Sequence, residues 1–186
     1  MKKAERKEQS HEAILESAMQ LLRTQGIRAS SVSDVMKGAG LTVGGFYGHF
    51  ESKTHLFAEA LQRPAGRVWK RLLEAAVGET PRERMKGVLG RYLSRTHRDQ
   101  PDDGCVLPSA ASEVAREGEP YRTALEKKLQ GLVSDLEGVL DGDRQRAVAT
   151  LALMVGALTL ARAVQGTPLS DELLQSARAM GEAGLD

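Results

Sequence analysis

The sequence contains little that would support a disulfide framework or a metal centre. It has one cysteine in 186 residues, so no intramolecular disulfide can form, which fits a reducing compartment. Its four histidines are scattered, and none stands at the spacing from acidic residues or cysteine that metal sites use. Serine, histidine and aspartate form no recognisable catalytic arrangement. We therefore expect no metal, no cofactor and no enzymatic activity.

Long apolar runs and strong net charge are also missing. The longest apolar run, residues 147–161, is shorter than the roughly 18 residues of a membrane span, and we interpret it as a buried helix. The start, MKKAERK, lacks the apolar segment of a signal peptide, so we expect a cytoplasmic protein with no membrane partner. The net charge is +1, so a nucleic-acid surface would have to be local. The basic start is either a solvated terminus or part of such a surface.

Hydrophobic residues recur at helical spacing nearly everywhere, and no segment alternates as a strand would. We predict an all-α fold of about nine helices. Ser31 with Asp34, and Thr80 with Glu83, have the spacing of capping boxes at helix starts. The helix that starts after Thr80 is predicted to reach about His97. Ser170 is predicted to cap the last helix.

Residues 32–48 have the length and spacing of a helix-turn-helix. A short helix over residues 32–38 is followed by a turn at Gly40 and Leu41 and by a second helix that begins after Thr42, which is predicted to be its N-cap. A fourth helix is predicted to begin after Ser52 and to run to about residue 76, with a kink or break near Pro64. We predict a three-helix DNA-binding domain over residues 1–62, joined through the fourth helix to a larger helical domain over residues 63–186.

The second helix of this unit combines glycines with aromatic residues, VGGFYGHF. In a helix-turn-helix this helix enters the major groove, and glycines at its start would allow its backbone to approach DNA closely. Phe46 and Phe50 are predicted to be core. Tyr47 is either a phosphate contact or half-buried core, and His49 is either a contact or an ordinary surface histidine. The predicted DNA-binding residues are Arg28, Ser31, Ser33, Thr42, Val43, Gly44, Gly45, Tyr47, His49 and Lys53.

The assembled pattern resembles the DNA-binding domain of the TetR/AcrR family of bacterial regulators. The resemblance covers about residues 10–61, and its motif is Ala39-Gly40, Thr42, Phe46-Tyr47, His49-Phe50 and Lys53. It implies binding to double-stranded DNA at a palindromic operator, and a helical C-terminal domain that forms a homodimer and binds a small-molecule effector. This chain has Val43, Gly45 and Ser33 where the family commonly has other side chains, so few side-chain hydrogen bonds to bases are expected.

The C-terminal part supports a dimer independently, because the helix over residues 143–165 is apolar on nearly every face and needs a cover on two sides. The alternative is a buried central helix in a monomer. The predicted dimer interface is Ala149, Ala152, Leu153, Gly156, Ala157, Leu160, Leu173 and Ala177. The predicted effector pocket, for a mostly apolar molecule, is lined by Trp69, Leu72, Met85, Leu89, Tyr92, Cys105, Leu107 and Tyr121, residues that are equally well explained as core.

Three functions follow in order of preference. The first is a ligand-responsive, homodimeric regulator, most simply a repressor. The second is a thiol-based redox or electrophile sensor acting through Cys105, which stands where a helix is predicted to begin. The third is a helical interaction protein whose helix-turn-helix no longer binds DNA.

Overall fold

The structure is a computed structural model that describes residues 3–63 and 66–184. Within these residues there are only helices, so the predicted all-α class is confirmed, although the helices are more numerous than the nine predicted. The α-helices are α1 Lys3–Thr24, α2 Gly26–Ala29, α3 Val32–Gly38, α4 Lys53–Gln62, α5 Arg67–Glu74, α6 Pro81–Tyr92, α7 Arg95–Asp99, α8 Leu107–Glu117, α9 Tyr121–Val139, α10 Arg144–Ala163 and α11 Pro168–Ala183. Two short 3₁₀ helices cover Val43–Gly48 and Pro101–Asp103.

The described residues form two compact units. The first unit contains residues 3–63 together with residues 109–128, so part of α8 and the first half of α9 join the N-terminal helices. Within this unit α1 packs on α2, α3 and α4, and α3 packs on the first 3₁₀ helix. Its core is apolar and includes Ile14, Leu22, Val35, Phe46 and Phe50.

The second unit contains residues 66–108 and 129–184. In it α10 packs on α11 and α7, while α6 packs on α5 and α11. The inward face of α10 is buried at Leu151, Met154 and Leu158. By length and composition α10 could cross a membrane, a test that core helices of soluble proteins also pass.

The predicted division at residues 62 and 63 takes no account of residues 109–128. These residues lie in the second half of the chain, yet they belong to the first compact unit. The assignment of DNA binding to residues 1–62 and of effector binding to residues 63–186 stays a prediction.

Local capping signals in the sequence are largely confirmed. Ser31 and Asp34 form a capping box at α3, because the Ser31 hydroxyl accepts from the Asp34 N–H and Asp34 accepts from the Ser31 N–H. Thr80 and Glu83 form the same arrangement at α6, with Pro81 at the first helical position. Each box satisfies backbone N–H groups that the helix itself leaves without partners.

Two predicted helices end earlier than expected. The predicted fourth helix is broken: α4 ends at Gln62 and α5 starts at Arg67, with Pro64 itself outside the described residues. The helix predicted to reach His97 ends at Tyr92, where Leu93 leaves helical geometry and Ser94 caps the separate α7.

The predicted cap at Ser170 is wrong. Thr167 occupies the N-cap position of α11 and Pro168 follows at the first helical position. Ser170 is instead fully buried, and its hydroxyl donates to the Ala161 carbonyl at 2.7 Å and accepts from Arg98 at 2.8 Å. A proline signal and a serine signal compete within a few residues here, and the proline marks the true start.

The capping box at α3 gives a test of local stability. We expect Ser31→Ala to lower the free energy of unfolding by about 1 kcal/mol, because it removes the acceptor of the Asp34 N–H. Ser33→Ala is the matched control, since Ser33 is exposed in the same short helix and caps nothing. Equal effects of the two substitutions in urea unfolding would contradict the assignment of the cap.

Candidate nucleic-acid interface

The 3₁₀ helix Val43–Gly48, here called the recognition segment, follows a tight turn after α3. Gly40 makes this turn with a φ of 70°, in the left-handed region that glycine adopts without strain. Thr42 stands at the N-cap position, but its side chain makes no capping hydrogen bond, contrary to the prediction. Phe46 and Phe50 are each 1% exposed, as predicted for core residues, and they anchor the segment to the first unit.

Contacts among the described residues do not explain the glycines of the recognition segment. None of Gly44, Gly45 and Gly48 has a positive φ. A Cβ added at Gly44 or Gly48 would meet no atom within 4 Å, and one at Gly45 would meet only Met36 Cε at 3.8 Å, an ordinary contact. Neither the backbone nor the packing of the described residues therefore requires glycine at these positions.

The side chains that flank these glycines face outward. Tyr47 is 78% exposed and Val43 is 48% exposed, so Tyr47 is not the half-buried core residue of the alternative interpretation. The Tyr47 ring meets Phe46 edge-on, with 5.2 Å between the ring centroids. Thr42 and Ser33 are exposed as well. This exposed surface contains hydroxyl and methyl groups and no charged side chain.

His49 is less accessible than the prediction assumed. It is half-buried, its ring lies 6.4 Å from Phe50 and 5.8 Å from His11 between centroids, and its Nδ1 has no hydrogen-bond partner among the described residues. Burial lowers the pKa of His49, with smaller contributions from the charges of His11 and Lys7. His49 is therefore neutral near pH 7 and can contribute a hydrogen bond rather than a charge.

The cations predicted at the edges of this surface are partly engaged. Lys53 Nζ donates to the Arg28 carbonyl oxygen at 3.4 Å and lies 5.7 Å from the centroid of the Phe57 ring. Arg6 and Lys7 of the basic start are exposed on α1, whereas Lys2 lies outside the described residues.

Two carboxylates of α8 hold the segment around Arg28, and the sequence analysis missed both. Glu117 pairs with Arg28, with 2.6 Å between Oε1 and Nε, and this hydrogen bond raises the pKa of the guanidinium. Glu113 accepts from the backbone N–H of Ile27 and, at 3.4 Å, from that of Arg28. A Cβ at Gly26, where φ is 79°, would overlap the Glu113 carboxylate, so this position requires glycine.

A comparison with protein-family models identifies the same part of the chain. The model described as bacterial regulatory proteins, tetR family, matches residues 14–60, which span α1, the helix-turn-helix and nearly all of α4. Residues 14–60 of the chain are thus similar to the TetR family of bacterial regulators. These residues therefore form a helix-turn-helix of the kind by which transcriptional regulators bind DNA.

Curated relatives of the chain are transcriptional regulators. It is 32% identical over 87 residues to the HTH-type transcriptional regulator AcrR of Shigella flexneri, an alignment that covers 47% of this chain and 36% of that protein. The chain thus matches about a third of the length of that relative. It is 26% identical over 143 residues to the HTH-type transcriptional repressor NemR of Escherichia coli K12, covering 76% of this chain and 72% of that protein.

Solved structures share the fold over nearly the whole chain. The crystal structure of Escherichia coli NemR in its reduced form matches with a TM-score of 0.76 at 24% identity, covering 95% of this chain and 96% of that one. A TetR-family regulator from Cytophaga hutchinsonii also matches with a TM-score of 0.76, at 22% identity, covering 97% and 96%. At these identities the likeness concerns the fold.

The predicted effector-pocket residues are mostly core. Trp69, Met85, Leu89, Tyr92 and Leu107 are buried in the second unit, while Tyr121 is buried in the first. A cavity of about 370 Å³ does lie in the second unit, but Leu72 is the only predicted residue that lines it. Most lining residues are polar or charged, although they present polar and apolar surface in equal measure, so the cavity is less apolar than the predicted pocket. The lining residues are Val68, Arg71, Leu72, Arg91, Ser94, Thr96, His97, Gln100 and Asp103.

Cys105 lies in a polar cluster of the second unit. Its backbone N–H donates to His97 Nε2 at 3.0 Å, and His97 Nδ1 lies 2.8 Å from the Tyr92 carbonyl oxygen. The Tyr92 hydroxyl is fully buried and interacts with the Cys105 thiol. Burial is the largest cause of the raised pKa of Tyr92. The half-buried Arg162 donates to the His97 carbonyl at 2.7 Å, and the Tyr92 and Cys105 side chains interact electrostatically with its guanidinium.

The predicted dimer residues divide by exposure. Ala149, Ala152, Gly156 and Leu160 are exposed on α10, and Leu153 and Leu173 are half-buried. Ala157 and Ala177 are already buried within the second unit. No group of three or more His, Cys, Asp or Glu among residues 3–63 and 66–184 is arranged to hold a metal ion.

The pairing of Arg28 with Glu117 predicts an effect on DNA binding. We expect Glu117→Gln to steepen the salt dependence of DNA affinity by about one unit of slope, because the freed guanidinium gains a phosphate contact. Affinity measured over a range of salt concentrations checks this. Glu126→Gln is the matched control, since it removes one exposed carboxylate of the same unit away from Arg28. Identical slopes for both variants would show that Arg28 does not contact phosphate.

Proposed function

We propose that this chain is a TetR-family regulator and a homodimeric repressor that leaves a palindromic operator when a small effector binds to its second unit. The observation that carries the proposal is the exposed recognition segment, whose glycines are not required by any contact among the described residues. In a helix-turn-helix this surface meets the major groove, where missing side chains allow backbone and DNA to approach closely. The NemR relative is named a transcriptional repressor, which supports repression over activation for this chain.

The proposed contacts to DNA are of two kinds, hydrogen bonds to phosphate and apolar contacts to bases. Tyr47 has an exposed ring whose hydroxyl can donate to a phosphate oxygen, a contact that positions the protein without reading sequence. Thr42 and Val43 present methyl groups, which suit the methyl group of thymine. Ser31 is committed to its capping box, so its hydroxyl is less available than predicted. With few hydrogen-bonding side chains at this surface, DNA shape and contacts from Arg28 carry more of the specificity.

An exposed apolar stripe supports the homodimer. On α10 Val148 is 48% exposed and Leu160 is 56% exposed, and the small residues Ala152 and Gly156 are exposed between them at helical spacing. On α11 Met180 is 68% exposed. Apolar side chains clustered along neighbouring helices are typical of subunit interfaces, and small residues permit close helix approach. A two-fold dimer would place two recognition segments on successive turns of DNA, which requires a palindromic operator.

A cytoplasmic location follows from a role on DNA, and we propose no enzymatic activity. The effector would occupy the cavity of the second unit, whose volume of about 370 Å³ suits a small molecule.

A second candidate is a thiol-based switch acting through Cys105. The observation that favours it is the cluster around the thiol, which places the Tyr92 hydroxyl and the Arg162 guanidinium close to a half-buried sulfur. Reactive cysteines lie in electropositive, partly accessible surroundings of this kind. The name of the related structure, a reduced form of NemR, points to redox states of that protein.

The role of the glycines predicts the result of a gel-shift experiment with DNA from upstream of the gene. We expect Gly45→Glu and Gly45→Arg to fold normally and to lose specific binding, a fall of about a thousandfold or more to the nonspecific level. Gly48→Ala at the far end of the segment is the control and should retain specific binding, because the first residues of a recognition helix, and not the last, meet the base edges.

Survival of specific affinity in either Gly45 variant would contradict the close approach of this backbone to DNA. Failure of the unmodified protein to shift any genomic fragment at low salt would remove the proposed function as a whole.

The thiol switch predicts that DNA release by hydrogen peroxide or N-ethylmaleimide depends on the single cysteine. We expect Cys105→Ser to bind DNA as the unmodified protein does and to remain bound after either treatment. Release of the serine variant by the same treatments would refute the switch. Mass spectrometry of the treated protein, showing modification at Cys105, provides the direct control.

A further inference from the structure

The cavity of the second unit is built from four neighbouring elements of the chain. Val68, Arg71 and Leu72 come from α5 and Arg91 from the end of α6. Ser94, Thr96 and His97 come from the start of α7, and Gln100 and Asp103 come from the connection after it. Two of the lining side chains, Val68 and Leu72, are thus apolar, and the others are polar or charged.

The lining has an excess of positive charge. Arg71 and Arg91 contribute two positive charges and Asp103 one negative charge, which leaves a net charge of +1. His97 does not add to it, because burial lowers its pKa to about 4 and both ring nitrogens are engaged, one at the Tyr92 carbonyl and one at the Cys105 N–H.

The two arginines differ in their partners. Arg71 pairs with Asp103, with 2.9 Å between Nη2 and Oδ2. Arg91 donates through Nη1 to the Arg71 carbonyl oxygen at 2.9 Å, and no described carboxylate lies within ion-pair distance of it. The Arg91 side chain is exposed, so its charge is solvated in the free protein and is available to a ligand in the cavity. A planar guanidinium suits a carboxylate, which it can bind through two parallel N–H groups.

We propose that this cavity binds a small organic monoanion, whose carboxylate is held by Arg91 and Arg71 and whose apolar part lies against Val68 and Leu72. Ser94, Thr96 and Gln100 supply hydroxyl and amide groups for further polar atoms of the ligand. This inference rests on the proposed function, in which the cavity holds the effector. It names the chemical class of that effector, which differs from the mostly apolar molecule that the sequence predicts.

A ligand carboxylate in this cavity would compete with Asp103 for Arg71. Asp103 already neutralises Arg71, so a bound anion takes over part of that interaction. Asp103 ends the 3₁₀ helix Pro101–Asp103, which is followed by Gly104, Cys105 and then α8. The same helix α8 carries Glu113 and Glu117, the carboxylates that hold the segment around Arg28 in the first unit. Occupancy of the cavity is thus connected along the chain to a segment that contacts the DNA-binding helices.

The test compares carboxylates with their neutral amides by isothermal titration of the full chain. The probes are benzoate against benzamide and hexanoate against hexanamide, pairs that differ mainly in charge. We expect at least one carboxylate to bind about tenfold or more tightly than its amide. We expect Arg91→Gln to lose about tenfold or more of that affinity, and Lys86→Gln, which removes an exposed charge of the same helix outside the cavity, to lose none.

The proposal is overturned if neither carboxylate binds, if each amide binds as well as its acid, or if Arg91→Gln binds as tightly as the unmodified protein. Should Arg91→Gln fail to fold in thermal unfolding, Asp103→Asn decides instead, since removal of the competing carboxylate should tighten carboxylate binding. A gel shift of the same samples separates the two proposals. If the protein shifts DNA but binds no carboxylate, the proposed function stands and the proposed ligand class is wrong. If it binds carboxylate but shifts no DNA, the proposed function is wrong.

Discussion

Burial of Phe46 and Phe50 in the first unit is the interaction on which the DNA-binding surface depends. The recognition segment is a 3₁₀ helix of six residues that contains three glycines, and such a segment has little stability of its own. Its shape is held because the two rings are almost fully buried beneath it. The aromatic anchors thereby allow the outer side of the segment to consist of glycine backbone and an exposed tyrosine.

Electrostatics add a second constraint on the same unit. The backbone N–H groups of Ile27 and Arg28 would lie without a strong acceptor next to α3, and the Glu113 carboxylate satisfies them. Glu117 neutralises Arg28 in the same region. These carboxylates belong to residues 109–128, which join the N-terminal helices in one compact unit. In the DNA contact that we propose for Arg28, these acidic residues reduce its attraction for phosphate, so they support the structure at some cost in affinity for DNA.

Sequence patterns succeeded where the interactions are local. The capping boxes at α3 and α6, the cap at Ser52, the turn at Gly40 and the core role of Phe46 were all predicted from a few adjacent residues. Predictions failed where two local signals compete, as at Ser170, or where one residue leaves helical geometry, as at Leu93. The pocket was predicted from apolar residues, yet most of them fill the core and the cavity is lined by polar neighbours.

The sequence by itself determined the helical class, the helix-turn-helix and its motif, because helix caps and hydrophobic spacing act within about one or two turns of the chain. It also determined that a glycine pair stands at the start of the recognition segment. Only the tertiary structure decided that Arg28 pairs with Glu117, 89 residues away, that Tyr47 is exposed while His49 is half-buried, and that Arg91 lines a cavity without a carboxylate partner. Such pairings depend on which helix faces meet, and no local pattern in the chain specifies that.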